Sequence, residues 1–204
     1  MSMEKNKFIV FEGIDGSGGE TQANILVETL KKQGIDVVQH AYPDYTGPIA
    51  QLIHDYLHNK YEFSKEVQFL LYFADFLKDK EKIQQWLGQG KTIVADRYFT
   101  TTIAYQCLNG VPLDNALQIA QMFQLPVPDK VLLLDISAET SIERKTKEKD
   151  GNLDRNESSK QFLADLASLY RELAAKNAFG QWTIINGEQT IEKVTEDVIQ
   201  ILHE

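Results

Sequence analysis

The residues between positions 13 and 22 are those whose types and spacing most directly suggest chemistry. They read Gly13-Ile-Asp-Gly-Ser-Gly-Gly-Glu-Thr-Gln22 and follow four apolar residues, Phe8 to Phe11. Successive backbone N–H groups in such a turn, followed by a helix N-terminus, bind an anion such as a phosphate group. The stretch therefore predicts a phosphate-binding loop between a buried strand and a helix.

This loop departs from the usual pattern, G-x-x-x-x-G-K-[ST], at the two positions that supply side-chain chemistry. With Gly13 and Gly18 as the two glycines, Gly19 occupies the lysine position and Glu20 the hydroxyl position. The lysine normally contacts the transferring phosphate, and the hydroxyl normally binds magnesium. The backbone cradle is kept but its cation is missing, so a glycine-rich turn without a ligand stays open on this motif alone.

Composition limits the classes of protein that need considering. The 204 residues, 43% of them hydrophobic and 25% charged, predict one domain over 1–204 with a full core. A net charge of -9 argues against nucleic-acid and acidic-membrane partners, which need a basic face. A single cysteine, Cys107, and the lack of a signal-type or membrane-spanning apolar run favour the cytoplasm.

Apolar runs and amphipathic stretches alternate along the chain. The predicted strands are 8–11, 36–41, 92–95, 131–134 and 182–185. The predicted helices are 23–32, 48–57, 65–87, 113–123, 138–149, 160–176 and 191–202. This alternation predicts an α/β fold of three layers, with a five-stranded parallel sheet between helices. Ligands bind such sheets at the carboxyl ends of the strands, where Glu12 to Glu20, Tyr42 to Gly47 and Asp96-Arg97-Tyr98 fall.

The stretch from Glu143 to Glu157 is almost entirely charged or polar and is broken by Gly151 and Asn152. A solvated loop between two helices is the commoner explanation for such a stretch. In a phosphoryl-transfer enzyme the same stretch acts as a lid that brings Arg and Lys to the phosphates and excludes water. We therefore expect a mobile, helical lid over 143–157.

The order and spacing of several short segments resemble the thymidylate kinase family over nearly the whole chain. The matching segments are Phe11-Glu-Gly-Ile-Asp-Gly-Ser-Gly18, Thr21-Gln22, Tyr42-Pro43-Asp44, Leu70-Leu71-Tyr72, Ala74-Asp75, Asp96-Arg97-Tyr98, Ala104-Tyr105-Gln106, Pro128-Asp129, Leu134-Asp135 and Leu153-Asp154-Arg155 with Glu157. The resemblance implies a P-loop nucleoside-monophosphate kinase that uses ATP and Mg²⁺ to phosphorylate a deoxynucleoside monophosphate, dTMP above all. It also implies a homodimer.

The resemblance further implies roles for individual residues. Asp15 would accept a hydrogen bond from the sugar 3′-hydroxyl, Arg97 would hold the acceptor phosphate, and Asp96 would support Mg²⁺ or its water shell. Glu20, which departs from the family pattern, would either bind Mg²⁺ or pair with a lid lysine. The remaining catalytic candidates are the lid residues Arg144 and Lys147, beside which Lys145 and Lys149 would also face ATP. The implied ATP-binding residues are Gly13, Gly16, Ser17, Gly18, Gly19, Glu20, Thr21, Arg144 and Arg155. The implied substrate-binding residues are Asp15, Pro43, Tyr72, Phe76, Arg97, Thr101, Tyr105 and Gln106.

Three departures from the family pattern each remove a positive charge. Gly19 replaces the loop lysine, Tyr45 replaces an arginine that binds phosphate, and Phe76 replaces an arginine that contacts the thymine edge. A lid lysine, or Lys78 close to Phe76, is the compensation that the sequence offers. Two alternatives therefore stay beside dTMP phosphorylation: a nucleotide-binding regulator or scaffold without catalysis, and a kinase for another nucleoside monophosphate.

Overall fold

The computed structural model describes residues 7–148 and 159–203, and its centre is a parallel five-stranded sheet. The strands are β1 (Phe8–Glu12), β2 (Val37–Ala41), β3 (Thr92–Asp96), β4 (Lys130–Asp135) and β5 (Trp182–Asn186), in the order β2-β3-β1-β4-β5. The helices of the described ranges are α1 (Gly19–Lys32), α2 (Pro48–Leu57), α3 (Lys65–Leu77), α4 (Lys80–Gly88), α5 (Phe99–Leu108), α6 (Leu113–Met122), α7 (Ala138–Glu148), α8 (Lys160–Ala175) and α9 (Ile191–His203). None of these helices combines the length and the apolar character that crossing a bilayer requires.

The sheet is covered on both faces, which confirms the predicted three-layer α/β fold. All five residues of the central strand β1 are buried, as expected for a strand between two helical layers. On one face Ile9 and Phe11 pack with Leu26 of α1 and Val198 of α9. On the other face a larger aromatic cluster joins β1 and β3 to α3, α5 and α8.

The register of the strands brings the predicted ligand-binding segments to one edge. Phe11 of β1 lies opposite Asp96 of β3, and Ala41 of β2 lies opposite the same residue. The turns that follow these three strands therefore start side by side. They hold the glycine-rich loop, the segment after Tyr42 and the Arg97 turn.

The helices differ from the sequence-based prediction at two places. The predicted helix 65–87 is divided into α3 and α4 at Asp79, whose buried carboxylate accepts hydrogen bonds from Lys78 and Lys82. The helix α5 was not predicted, because Thr100 and its β-branched neighbours have low helix propensity. Tertiary contacts outweigh that propensity, because the hydroxyls of Thr100 and Thr101 in α5 donate hydrogen bonds to the buried carboxylate of Glu12 in β1.

Phe76 belongs to the aromatic core, so the expectation that it contacts substrate is not met. Its side chain is 2% exposed, and its ring centroid lies 4.6 Å from that of Tyr42 and 5.5 Å from that of Tyr98. A charged arginine in this apolar setting would need a partner that the surrounding rings do not offer. Phe76 therefore contributes to packing rather than to either cavity that the structure shows beside Arg97.

We predict that Phe76→Ala lowers the free energy of unfolding by about 3 to 5 kcal/mol, the usual effect of deleting a buried phenyl ring. Met122→Ala on α6 is the control, because Met122 is 73% exposed and its truncation changes stability by about 0.5 kcal/mol or less. Urea unfolding of both variants measures the difference. Equal, small effects would show that Phe76 is not packed as described.

Candidate active site

The predicted phosphate loop has strand-loop-helix geometry. It leaves β1 at Glu12 and enters α1 through Gly18, whose φ of 96° places it in the left-handed region. A Cβ on Gly13, whose φ is 156°, would lie 2.8 Å from the carbonyl oxygen of Leu134. These two glycines allow the turn to pass close to the sheet and present the N-terminus of α1 to the space above it.

A cavity of about 560 Å³ lies against this loop. Besides the loop it is lined by Asp96, Arg97, Arg144 and Lys145. The guanidinium of Arg144 donates one hydrogen bond to the carbonyl of Gly16, at 3.1 Å, and another to that of Gly187, at 2.9 Å. The cavity therefore joins backbone donors to cations from α7, which suits a polyphosphate.

Arg97 and Asp15 form the closest ion pair of the site. The Nη2 of Arg97 donates to Oδ1 of Asp15 at 2.6 Å, and its Nη1 donates to the carbonyl of Gly13 at 3.1 Å. Asp15 also accepts a 3.3 Å hydrogen bond from the hydroxyl of Tyr105. Burial opposes the charge of Arg97, but Asp15 together with Tyr105, Tyr170 and Asp96 outweighs it, so the pKa of the guanidinium is raised well above its usual value.

A smaller cavity, of about 120 Å³, lies on the other side of this pair. Its lining residues are Asp15, Pro43, Tyr45, Leu57, Tyr72, Arg97, Thr101, Thr102, Tyr105 and Gln106. Asp15 and Arg97 line both this cavity and the larger one. Two ligands, one in each cavity, would therefore meet at the Asp15–Arg97 pair.

Glu12 is a central residue that the sequence-based site did not include. Its carboxylate is 1% exposed and accepts hydrogen bonds from the hydroxyls of Thr101, at 2.6 Å, Tyr170, at 3.0 Å, and Thr100. The backbone N–H of Tyr98 adds a fourth, at 3.1 Å. Burial raises the pKa of Glu12, and nearby Arg97 and these donors counter the rise. The available signal was a glutamate at the end of an apolar strand, a position where a charge is rarely buried without partners.

Asp15, Glu20 and Asp96 are among the carboxylates that line the cavity beside the phosphate loop. Burial raises the pKa of Asp96, Arg97 lowers it, and the negative charges of Glu20 and Asp15 raise it further. Asp96 is thus close enough to Glu20 and to Asp15 to be repelled by both. A cationic ligand placed between Glu20 and Asp96 would relieve that repulsion.

The space beside Gly19 where a side chain would begin is occupied by a neighbouring carboxylate. A Cβ built on Gly19 would run directly into the Oδ1 atom of Asp96. The Asp96 carboxylate thus occupies the space in which a lysine side chain would begin. Glycine at position 19 therefore leaves the loop without a lysine and also leaves room for the Asp96 carboxylate.

The structure brings together most of the residues that the sequence singled out. The cavity beside the loop is lined by Gly13, Asp15, Gly16, Ser17, Gly18, Gly19, Glu20, Thr21, Asp96, Arg97 and Arg144. The smaller cavity is lined by Pro43, Tyr72, Thr101, Tyr105 and Gln106 together with Asp15 and Arg97. Lys149 and Arg155 of the expected lid lie outside the described residues, and so does the rest of 149–157.

The lid lysines change roles relative to the sequence-based expectation. Lys147 is not placed at the cavity: its side chain is 73% exposed and pairs with Glu143, one helical turn away, at 2.6 Å. Lys145 lines the cavity instead, with a side chain that is 17% exposed and 2.9 Å from Glu148. The helical repeat explains the difference, because two residues along α7 turn a side chain through about 200°.

Lys78 does not supply the missing charge in either cavity. Its ammonium lies 2.7 Å from Asp79, 3.0 Å from Asp75 and 3.3 Å from Asp44. Asp75 also accepts a 3.0 Å hydrogen bond from the backbone N–H of Asp44. Lys78 therefore fixes the segment after β2, which carries Pro43 and Tyr45 at the smaller cavity.

Comparison with known proteins identifies the family. The family model described as thymidylate kinase matches residues 11–198. A probable thymidylate kinase from Pyrococcus abyssi is 34% identical over 201 residues, which cover 96% of this chain and 95% of that protein. A thymidylate kinase from Dictyostelium discoideum is 28% identical over 200 residues, covering 98% of this chain and 86% of that protein.

A solved structure agrees with these relatives. The thymidylate kinase from Candida albicans, described as having broad substrate specificity, is 28% identical and superposes with a TM-score of 0.77. The match covers 100% of this chain and 93% of that one. Sequence and fold thus agree over the whole length, and the chain belongs to the thymidylate kinase family.

Proposed function

We propose that this protein transfers the γ-phosphoryl group of ATP to dTMP, giving ADP and dTDP. The observation that carries the proposal is that Asp15 and Arg97 line both the cavity beside the phosphate loop and the smaller cavity. A donor in one cavity and an acceptor in the other would place their phosphates at the same ion pair. Phosphoryl transfer depends on such alignment more than on a strong general base.

The acceptor would bind in the smaller cavity with its phosphate at Arg97. The planar guanidinium matches two phosphate oxygens, and its present bonds to Asp15 and Gly13 hold it in place before the ligand arrives. Asp15, already within reach of the Tyr105 hydroxyl, would accept a hydrogen bond from the sugar. Tyr72 would provide a flat face for the base.

The donor would bind on the backbone of the phosphate loop, with charge supplied from α7. Arg144 already contacts the loop through the carbonyl of Gly16, and Lys145 lines the same cavity. We assign to Lys145 the work of the absent loop lysine, with Arg144 beside it. Residues 143–157 are the proposed lid, since α7 carries these cations directly into that segment.

The residues at the loop also suit Mg²⁺. Magnesium prefers oxygen ligands, and it binds chiefly through one or two carboxylates together with substrate phosphates and water. Asp96 and Glu20 both line the cavity, and the pKa of Asp96 is raised first by burial and then by the negative charges of Glu20 and Asp15, so a dication beside these carboxylates would be favourable. When bound, the ion would neutralise charge on the phosphate oxygens. Asp96 and Glu20 are therefore the residues proposed to hold it.

A second candidate function is nucleotide binding without catalysis, in a regulatory or scaffold role. The glycine at position 19 favours it, because the loop lacks its usual lysine and the Asp96 carboxylate lies where that side chain would begin. The Asp15–Arg97 pair favours catalysis, because it lines both cavities, which the binding of a single nucleotide would not require. The proposed setting for either function is the cytoplasm, and exposed Val67 and Leu70 on α3 support a homodimer.

The first test is an assay of ADP release from ATP and Mg²⁺ with dTMP as acceptor. We expect acceptor-dependent turnover that falls at least about 100-fold in Arg97→Ala, because a charged phosphate contact is lost at the reacting group. Arg171→Ala is the matched control, since Arg171 pairs with Asp135 on an exposed surface. Turnover at background level with every deoxynucleoside monophosphate would exclude the kinase and leave the second candidate.

The second prediction compares the two lysines of α7. Lys145→Ala lowers kcat/KM for ATP by about 10- to 100-fold, the effect of a lost charge-assisted hydrogen bond. Lys147→Ala, two residues away on the exposed side, changes it by about twofold or less. Steady-state kinetics at saturating dTMP measures both. The reverse order of effects would return the role to Lys147, as the sequence alone suggested.

The third prediction concerns the loop. Gly19→Ala displaces the Asp96 carboxylate and lowers turnover at least about tenfold, whereas Gly88→Ala, with open space around its Cβ, leaves turnover unchanged. For the same reason the double substitution Gly19→Lys with Glu20→Ser does not restore a faster enzyme. Turnover above that of the unmodified protein would show that Asp96 moves aside readily and that the loop is merely damaged.

A further inference from the structure

Two histidines lie one helical turn apart at the end of α2. His54 is in the last turn of the helix, and His58 is the residue that caps it. The backbone N–H of His58 donates to the carbonyl of His54 at 3.0 Å, so the helical spacing continues to the cap. Their rings are stacked, with centroids 4.0 Å apart and planes 22° apart. Histidines four residues apart share one side of a helix, where two imidazoles can bind the same metal ion.

Hydrogen bonds determine which ring nitrogen each histidine leaves open. The Nδ1 of His58 lies 2.8 Å from the carbonyl oxygen of His54, and the Nδ1 of His54 lies 3.4 Å from Oδ1 of Asp55. A carbonyl and a carboxylate only accept, so Nδ1 carries the hydrogen in each ring and Nε2 of the neutral ring keeps its lone pair. Within the described residues neither Nε2 atom has a hydrogen-bonding partner.

This arrangement is the one that histidines in metal sites adopt. A histidine that binds a metal through one nitrogen usually donates its other N–H to a carboxylate or a backbone carbonyl, which fixes the ring. Asp55 is itself held in place, because its Oδ1 accepts hydrogen bonds from Lys60, at 2.8 Å, and from Gln51, at 3.0 Å. The ammonium of Lys60 is thereby paired with a carboxylate beside the two rings.

A second group of possible ligands in the described residues already has a cation. His40, Asp44 and Asp79 bring one ligand atom each within 4.8 Å of one another. The ammonium of Lys78 lies 2.7 Å from Oδ2 of Asp79 and 3.3 Å from Oδ2 of Asp44. The Nε2 of His40 is also engaged, 3.1 Å from the same Asp79 oxygen. A metal ion there would have to displace the lysine, whereas the pair on α2 requires no such displacement.

We propose that His54 and His58 bind one divalent ion of the Zn²⁺, Ni²⁺ and Cu²⁺ class through their Nε2 atoms. Imidazole suits these ions, whereas Mg²⁺ prefers oxygen ligands. The pair is at the surface, so water completes the coordination. Neither histidine is among the described residues that line the two cavities beside Arg97, so the site is separate from the proposed Mg²⁺ site and does not rest on the proposed function. The ion would hold the last turn of α2, whose Leu57 lines the smaller cavity.

Isothermal titration of the untagged full chain with ZnCl₂ tests the proposal. We expect Zn²⁺ binding whose Kd rises at least about tenfold in His54→Gln and in His58→Gln, because a single imidazole cannot chelate the ion. His203→Gln at the end of α9 is the matched control and leaves the Kd unchanged. An excess of MgCl₂ does not compete. Zn²⁺ binding that neither substitution weakens, or no binding at about 100 µM Zn²⁺, would overturn the proposal.

Thermal unfolding provides a second measurement that does not depend on activity. An ion that binds only the folded chain raises Tm, and we expect a rise of about 5 to 10 °C when Zn²⁺ is at 100 times its Kd. Without metal, His58→Gln unfolds close to the Tm of the unmodified protein, because His58 is exposed. With Zn²⁺, the rise is lost in this variant. A rise that persists in both variants of the pair would show that the ion binds elsewhere.

Discussion

The buried carboxylate of Glu12 is the constraint on which the site depends. It binds the Tyr98 backbone, two threonines of α5 and Tyr170 of α8, and so fixes the turn after β3 to the end of β1. That turn carries Arg97 with a φ of 66°, a strained conformation for a residue with a side chain. A charge buried at this depth is tolerated only with several donors, and those donors are the residues that aim Arg97 at Asp15.

The sheet could be predicted from the sequence because its strands are short apolar runs separated by amphipathic segments. All five predicted strands lie within or overlap the observed ones, and six of the seven predicted helices begin or end within a few residues of single helices in the structure. The failures have physical causes in tertiary structure. α5 is stabilised by Glu12 from a distant strand, and the break at Asp79 reflects a carboxylate that also bonds His40 and Tyr42 of another segment. Helix propensity is a property of the local sequence, so it carries no information about either of these contacts.

The sequence predicts which segments form the candidate site, but not which way their side chains point. Glycines, Asp15, Asp96 and Arg97 follow strand ends, and a parallel sheet must bring those ends together. The sequence does not show which lysine of α7 faces the cavity: Lys145 lines it, whereas Lys147 is on the exposed side of the helix. Phe76 is a second example. An aromatic residue in this helix could stack on a base or pack in the core, and only its contacts with Tyr42 and Tyr98 show that it is a core residue.

The charge beside the phosphate loop comes from elements other than the loop itself. Position 19 is a glycine, and the Asp96 carboxylate lies where a side chain at that position would begin. With Glu20 and Asp15 nearby, the cavity gathers negative charge that must be balanced by Arg97, Arg144, Lys145 and whatever cation accompanies the nucleotide. With glycine at position 19 the loop itself supplies no side-chain cation. In the proposed function that charge comes from Arg144 and Lys145 of α7, so binding of a phosphate chain would depend on this helix.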